Sequence, residues 1–260
     1  KLSLSLRSGV DRYNDEREFR RAVSTNRNPF GSYREDNVVY NEMNSDLLLT
    51  YRERINNDFK YSLSAGANRF DQQISYAYSQ ASQLALPGIY SLANSRTPLV
   101  GNSQEFNKRI NSIYGIGNIS YQSKVYLDLT ARNDWSSTLP DDFAYYSAGL
   151  SFVLDGLMET ADNISFANVR LSAASVGNDT DPYQTRQTYV FNQNYGSLFR
   201  VTNENLLKNP DLKPERLNAL EAGTEIRLFN DRLQFDVAGY QNTSINQIIS
   251  RPISNASGFQ

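Results

Sequence analysis

Apolar and polar residues alternate with a period of two along much of this chain, and the pattern is clearest between Leu220 and Asn242. Around a turn at Asn230-Asp231, the spacing sets Leu228 opposite Leu233, Ile226 opposite Phe235 and Thr224 opposite Val237. Glu225, Arg227, Gln234 and Asp236 take the other face. One face of this hairpin suits hydrocarbon and the other suits water. The same alternation predicts nine strands: Lys1 to Ser8, Tyr40 to Glu53, Phe59 to Asn68, Ile110 to Tyr121, Val125 to Trp135, Tyr145 to Leu154, Ser165 to Val176, Glu215 to Leu228 and Leu233 to Ser244. All 8 prolines fall outside these segments, as they must if the segments donate to a ladder.

The predicted connections alternate between short and long. Asn56-Asn57-Asp58, Gln122-Ser123-Lys124 and Asn230-Asp231 are tight, and Asp155 to Ile164 is moderate. Gly9 to Val39, Asp71 to Lys108 and Gly177 to Pro214 are long and rich in polar residues and tyrosine, with Ser136 to Ala144 the mildest link on that side. Antiparallel strands reverse at each connection, so each class of turn gathers on one rim. A soluble sandwich and a membrane-spanning barrel both use two-faced hairpins, but short turns on one rim and long loops on the other favour the barrel.

The predicted faces agree. Tyr121 falls opposite Val125 and Ile119 opposite Leu127, while Asn118, Ser120, Tyr126, Asp128, Thr130 and Arg132 share the other side. Tyr51 meets Leu63 and Leu49 meets Ala65, with Glu53 beside the turn as the exception. Glu225 opposite Asp236 would be unfavourable in a dry core, whereas a wet lumen with Arg227 diagonal to Asp236 tolerates it. Phe59, Tyr61, Tyr121, Phe152, Phe166 and Phe229 near the short turns, and Tyr40, Trp135, Tyr145 and Tyr240 near the long loops, stand where interfacial girdles are expected.

Composition removes other functions. With 17 Tyr, 13 Phe and a formal net charge of −2, the chain lacks the basic surface that nucleic-acid binding needs. The Arg17, Arg20, Arg21 run is interleaved with Asp11, Asp15, Glu16 and Glu18 and reads as a solvated loop. Cysteine and histidine are both absent, which excludes thiol nucleophiles, disulfides, His or Cys zinc sites and a Ser-His-Asp triad. No cofactor, metal or catalytic residue is expected. Asp141-Asp142 form a Pro-flanked turn, and Asn178-Asp179-Thr180-Asp181 lacks EF-hand spacing. No apolar run reaches the length of a transmembrane helix, and a mean hydropathy of −0.57 is compatible with a barrel whose strands are half wet.

Four segments carry a resemblance. Ala131-Arg132-Asn133-Asp134-Trp135-Ser136-Ser137-Thr138-Leu139-Pro140 resembles a strand end of the SusC/RagA type of TonB-dependent outer-membrane transporter. Asn209-Pro210-Asp211-Leu212-Lys213-Pro214-Glu215 with Glu221-Ala222-Gly223 is similar to the lead into a late barrel strand of TonB-dependent receptors. Val169 to Asp179 and Arg251 to Phe259 are similar to further segments in the same order. The resemblance implies an antiparallel up-and-down barrel of about 22 strands around an N-terminal plug, energised through TonB and lidded by a SusD-like surface lipoprotein. Its cargo would be a glycan or peptide carried across the bacterial outer membrane. Residues 1–260 are expected to be an internal stretch of that barrel, with plug, TonB-binding segment, signal peptide and terminal strands outside it. Trp135, Tyr183, Tyr189 and Tyr195 are candidate aromatic platforms for substrate. A soluble β-rich carbohydrate-binding module stands as the alternative, and a carboxylate-dependent glycoside hydrolase as a third reading.

Overall fold

The computed structural model describes residues 1–26, 28–154 and 163–259. Among these residues eleven strands are formed: β1 Leu2–Arg21, β2 Ser32–Arg54, β3 Phe59–Ala81, β4 Val100–Tyr121, β5 Val125–Ser136, β6 Phe143–Val153, β7 Ile164–Asn178, β8 Tyr189–Tyr195, β9 Leu198–Asn203, β10 Glu215–Leu228 and β11 Leu233–Ile245. Nine make one antiparallel sheet in the order β1-β2-β3-β4-β5-β6-β7-β10-β11, and β8-β9 form a separate hairpin. The sheet is an open, unclosed wall, and among the described residues no second sheet covers it, so the sandwich alternative is not formed. No described helix is long and apolar enough to cross a membrane.

The expected pairs are present: Leu228 with Leu233, Ile226 with Phe235, Ile119 with Leu127 and Tyr51 with Leu63. Parity then assigns one outward face. Leu2, Leu4 and Leu6 on β1 continue through Leu47 and Leu49, Leu63 and Ala65, Ile113 and Ile119, and Leu127 and Leu129. Leu150, Leu171, Ala222, Ile226, Phe235 and Val237 complete the same face across β6 to β11. Among the described residues no second layer covers this band, and its side chains are exposed or half-buried by their neighbours in the sheet. The chain exposes 18121 Å², against about 11,500 Å² for a compact soluble monomer of its 29.5 kDa. Among the described residues no large side chain is fully buried, because a single layer has no second layer to pack on.

Two of the three long connections are much shorter than the sequence suggests, and the third keeps its length between Asn178 and Glu215. β1 to β4 run for 20, 23, 23 and 22 residues, whereas about 9–11 residues cross a bilayer as a tilted strand. The ladders β1-β2, β2-β3 and β3-β4 continue without a break through most of the segments expected as loops over Gly9 to Val39 and Asp71 to Lys108. Only residues 22–31 and 82–99 connect them. At roughly 3.4 Å per residue the excess carries these strands roughly 30 Å beyond the apolar band. Above Ser8, Ser45, Ala67 and Ile113 both faces of the strands are largely polar, so alternation no longer marks them.

The small core sits at the far end of this extension, where Tyr33, Ala81 and Leu84 pack with Tyr90 and Leu92. The 82–99 connection folds back on itself. The Asn94 side chain accepts from Leu86 N (3.1 Å) and donates to Leu86 O (2.9 Å) and Ile89 O (2.7 Å). At the opposite rim the turns are tight. Gln122 and Ser123 adopt left-handed backbone, as do Phe229, Asn230 and Asp231. The 155–162 part of the connection expected from Asp155 to Ile164 lies outside the described residues.

Several aromatic residues face the other way from the girdle expectation. Phe59, Tyr61, Tyr121 and Phe152 do face outward, but Phe166 pairs across from Arg227 on the inner face and lies 4.9 Å from its guanidinium. On the other rim Tyr40, Tyr145 and Tyr240 point inward, and Tyr146 and Trp135 point outward. A lipid-facing assignment has a direct check. In the complete protein, Leu171→Arg should lower stability in bilayers by about 2–4 kcal/mol and Ser172→Arg by much less. The heat-dependent gel shift of the inserted barrel reports both.

Candidate substrate path and loop anchors

The inner face is built from polar side chains that bridge neighbouring strands. Tyr114 of β4 donates to Asp46 of β2 at 2.7 Å, crossing over β3 at Gly66, where a Cβ would lie only 2.2 Å from the tyrosine ring. Arg132 stands 5.8 Å from the Tyr114 ring, donates to Ser112 (2.7 Å) and pairs with Asp134 (2.7 Å), and Asp134 accepts from Tyr145 of β6 at 2.8 Å. A polar chain therefore crosses five strands. Glu225 and Asp236 do sit opposite each other, as expected. Their neutralisation differs from expectation. Arg227 bonds Glu225 at 2.7 Å, and Arg170 from β7 reaches Asp236 at 2.6 Å. Gly223 makes this possible, since a Cβ there would meet Arg170 Nε at 2.7 Å. The glycine of the Glu221-Ala222-Gly223 segment thus clears a path for an arginine.

Above the band the inner face of β1 to β3 becomes aromatic. Tyr13 and Tyr40 stack with ring centroids 4.8 Å apart and planes 10° from parallel. The Tyr40 hydroxyl donates to Glu42 and accepts from Gln72 Nε2 at 3.0 Å. Higher still, Arg34 lies 4.1 Å over the Tyr78 ring, pairs with the buried Asp36 and bonds the Tyr76 hydroxyl. Apart from Tyr40 and Glu42, which open a predicted strand, these residues fall in segments the sequence suggests as loops. The alternation Ile74, Tyr76, Tyr78 was the available signal.

The connection from β7 to β10 is anchored at two lysines. Lys108 of β4 donates to Asp179 Oδ1 at 2.6 Å, and Asp179 Oδ2 accepts from Ser136 (2.7 Å) and Thr138 (3.3 Å). Asp179 is 7% exposed and Lys108 18%. Two segments singled out by resemblance, 131–140 and 169–179, therefore meet at one carboxylate, and the acidic 178–181 cluster serves an ion pair. Further along, Lys208 bonds Glu204 (3.0 Å), the Tyr183 carbonyl (3.1 Å) and Gln184 (3.3 Å), closing the base of the β8-β9 hairpin. The Thr188 hydroxyl and then Lys208 hold the Glu204 carboxyl below the usual glutamate range, against the opposing effect of burial.

The four expected platforms are not brought together. Tyr183 stands on left-handed backbone 6.1 Å from Phe106 of the inner wall. Tyr189 and Tyr195 project from the hairpin, 68% and 76% exposed. Trp135 lies outward, across from Asn111, at the edge of the apolar band. Among the described residues no cluster of three acidic side chains is placed to hold a metal.

Two measurements test the anchors. Asp179→Ala leaves a largely buried ammonium unpaired and should destabilise the 179–214 attachment by about 3–5 kcal/mol, read as faster proteolysis within that connection. Because the Glu204 pKa is depressed in the folded state, its contribution is present above the ordinary glutamate value and lost as pH falls through the lower folded value. Protection from hydrogen exchange over 187–208, taken relative to the intrinsic exchange rate at each pH, should hold above the ordinary glutamate range and fall below it, and Glu204→Gln should remove that acid dependence.

Comparison with known proteins agrees with this architecture. The family model described as TonB dependent receptor-like, beta-barrel matches residues 1–260. TonB-dependent receptor P26 of Formosa agariphila is 25% identical over 229 residues, covering 83% of this chain and 23% of that protein. TonB-dependent receptor P3 of the same organism is 24% identical over 161 residues, 56% and 16% of the two chains. The solved structure of the RagAB peptide transporter superposes with a TM-score of 0.86 at 20% identity, over 99% of this chain and 30% of that one. The RagAB peptide importer in its 'open-open' state gives 0.79 over 99% and 29%. The chain spans less than a third of each of these proteins. The apolar band is the lipid-facing surface of a bacterial outer-membrane wall, and the chain belongs to the TonB-dependent receptor-like β-barrel family.

Proposed function

We propose that residues 1–260 form part of the barrel of a TonB-dependent importer that takes up a glycan or peptide, with the inner face of β1 to β4 as one wall of the substrate path. The observation that carries this reading is the Tyr13-Tyr40 stack, held by Glu42 and Gln72 on the inner face above the membrane. Stacked rings offer a flat apolar platform, and the adjacent carboxylate and amide supply hydrogen-bond partners for hydroxyls or peptide groups. The work is binding and gated passage, and no step makes or breaks a covalent bond of the cargo.

Within this reading Tyr183, beside Phe106, contributes at the lip of the same wall, and Tyr189 and Tyr195 contact cargo from the hairpin. Trp135 serves as an anchor at the membrane surface. The resemblance to SusC/RagA transporters and the similarity to RagAB support a SusD-like surface lipoprotein as lid over the long-loop rim. TonB would act through a segment of the complete protein outside this chain.

In the complete transporter, Tyr13→Ala with Tyr40→Ala should weaken substrate binding roughly 5- to 20-fold, for an aromatic platform worth roughly 1–2 kcal/mol. Calorimetry against oligosaccharide and oligopeptide panels measures this and separates the two cargo classes. Unchanged affinity for every ligand bound by the parent would remove the stack from the substrate path.

A further inference from the structure

On the outward face, just above the apolar band, two arginines converge on one aspartate. Arg69 of β3 donates through Nε to Asp71 Oδ2 at 2.6 Å, and Arg109 of β4 donates through Nε to Asp71 Oδ1. Arg109 and Asp71 are cross-strand partners, and Arg69 precedes Asp71 by one outward position. Two cations against one anion leave a net positive charge. Each guanidinium spends its Nε edge on the carboxylate, and among the described residues neither terminal amine group has a further hydrogen bond. Both side chains are about half exposed. Asp71 thus holds two arginines side by side with donor groups unused.

Their height gives the arrangement meaning. On β3 the run of apolar outward residues Leu63, Ala65 and Ala67 ends at Ala67, and Arg69 is the next outward position. Arg69 pairs with Asn111, which pairs with Trp135, so arginine, amide and indole lie in one row across three strands. Tryptophan favours the level where hydrocarbon gives way to lipid headgroups. The arginines therefore face lipid headgroups and stand on the opposite side of the wall from the substrate path. The next outward carboxylate on β4, Glu105, lies farther from the band and is held by Gln73 (2.6 Å) and Asn107 (3.0 Å). An isolated surface ion pair contributes little to stability and would need only one arginine. A second arginine adds like-charge repulsion unless an anion shares the pair.

We propose that Arg69, Asp71 and Arg109 form a clamp for the phosphate group of an outer-leaflet glycolipid. The planar guanidinium fork fits phosphate oxygens, the carboxylate sets its orientation, and Asn111 adds an amide at the same level for a sugar hydroxyl. The bound lipid lies along the apolar residues beneath it. This site is independent of which cargo the lumen carries.

The test uses the complete transporter, purified in detergent and examined by native mass spectrometry with phosphorylated lipid A, dephosphorylated lipid A and inorganic phosphate. The phosphorylated lipid should be retained at least tenfold better than the dephosphorylated one. Arg69→Gln with Arg109→Gln should abolish that preference, at about tenfold per arginine. Arg232→Gln, an exposed arginine in the turn at the opposite rim, should leave it unchanged. Should the double variant fail to assemble, Arg109→Lys keeps the charge, removes the fork and should still cut retention several-fold. Equal retention of the two lipids, an equal loss in Arg232→Gln, or unchanged retention in Arg109→Lys would overturn the proposal. Displacement of the lipid by equimolar inorganic phosphate would do so as well, by making this a free-anion site.

Discussion

Hydrocarbon offers no hydrogen-bond partner, so every backbone N–H and C=O inside a bilayer must be satisfied by the protein. The antiparallel ladders of the nine-stranded sheet answer that requirement, with a register shift at Arg227/Leu228 beside a tight turn, and the rest of the wall follows from them. With the backbone closed to water, side chains decide which face meets lipid. The outward band is made of Leu, Ile, Val, Ala and aromatic residues, while carboxylates, guanidiniums and hydroxyls collect inside. Those inner groups still need partners, and they find them two residues along the same strand, as Arg132 and Arg227 do with Asp134 and Glu225, or on nearby strands. Gly66 and Gly223 each give up a side chain so that Tyr114 and Arg170 can reach across. Glu225 and Asp236 can face each other because each has its own arginine.

What the sequence makes legible is set by where the two faces differ. Inside the membrane they differ strongly, and all nine strands of the main sheet follow from a period of two, with the registers of the tight-turned β2-β3, β4-β5 and β10-β11 hairpins. Beyond Ala67 and Ile113 the outward residues turn polar, the contrast disappears, and strands that continue for a further ten or so residues read as loops. The β8-β9 hairpin escapes notice for a related reason. It stands apart from the sheet on two short strands, and its apolar side, with Tyr189, Phe191 and Val201, is exposed and packs on no core, although Gly196-Ser197 between Tyr189-Val190-Phe191 and Leu198-Phe199 marks a turn.

The sites divide along the same line. Counting by twos from Leu127 and Leu129 puts Trp135 on the lipid side, so its orientation is available from sequence alone. Asp179 is different. Its partners Lys108, Ser136 and Thr138 lie 71, 43 and 41 residues away, and only the sheet order brings β4, β5 and β7 to one rim. Resemblance had picked out both the 131–140 and 169–179 segments. Their meeting at one buried carboxylate gives a physical reason for both.

The length of β1 to β4 joins two surfaces that face different media. The strands that hold Leu47, Leu63 and Ile113 against lipid are the same strands that carry Tyr13, Tyr40 and Tyr78 well above it. No hinge lies between them, since the ladders run through without a register shift. The height of the aromatic wall over the membrane is therefore fixed by where the apolar band ends. That boundary is marked on β3 to β5 by Arg69, Asn111 and Trp135, so residues on the lipid side of the wall set the position of residues on its inner side.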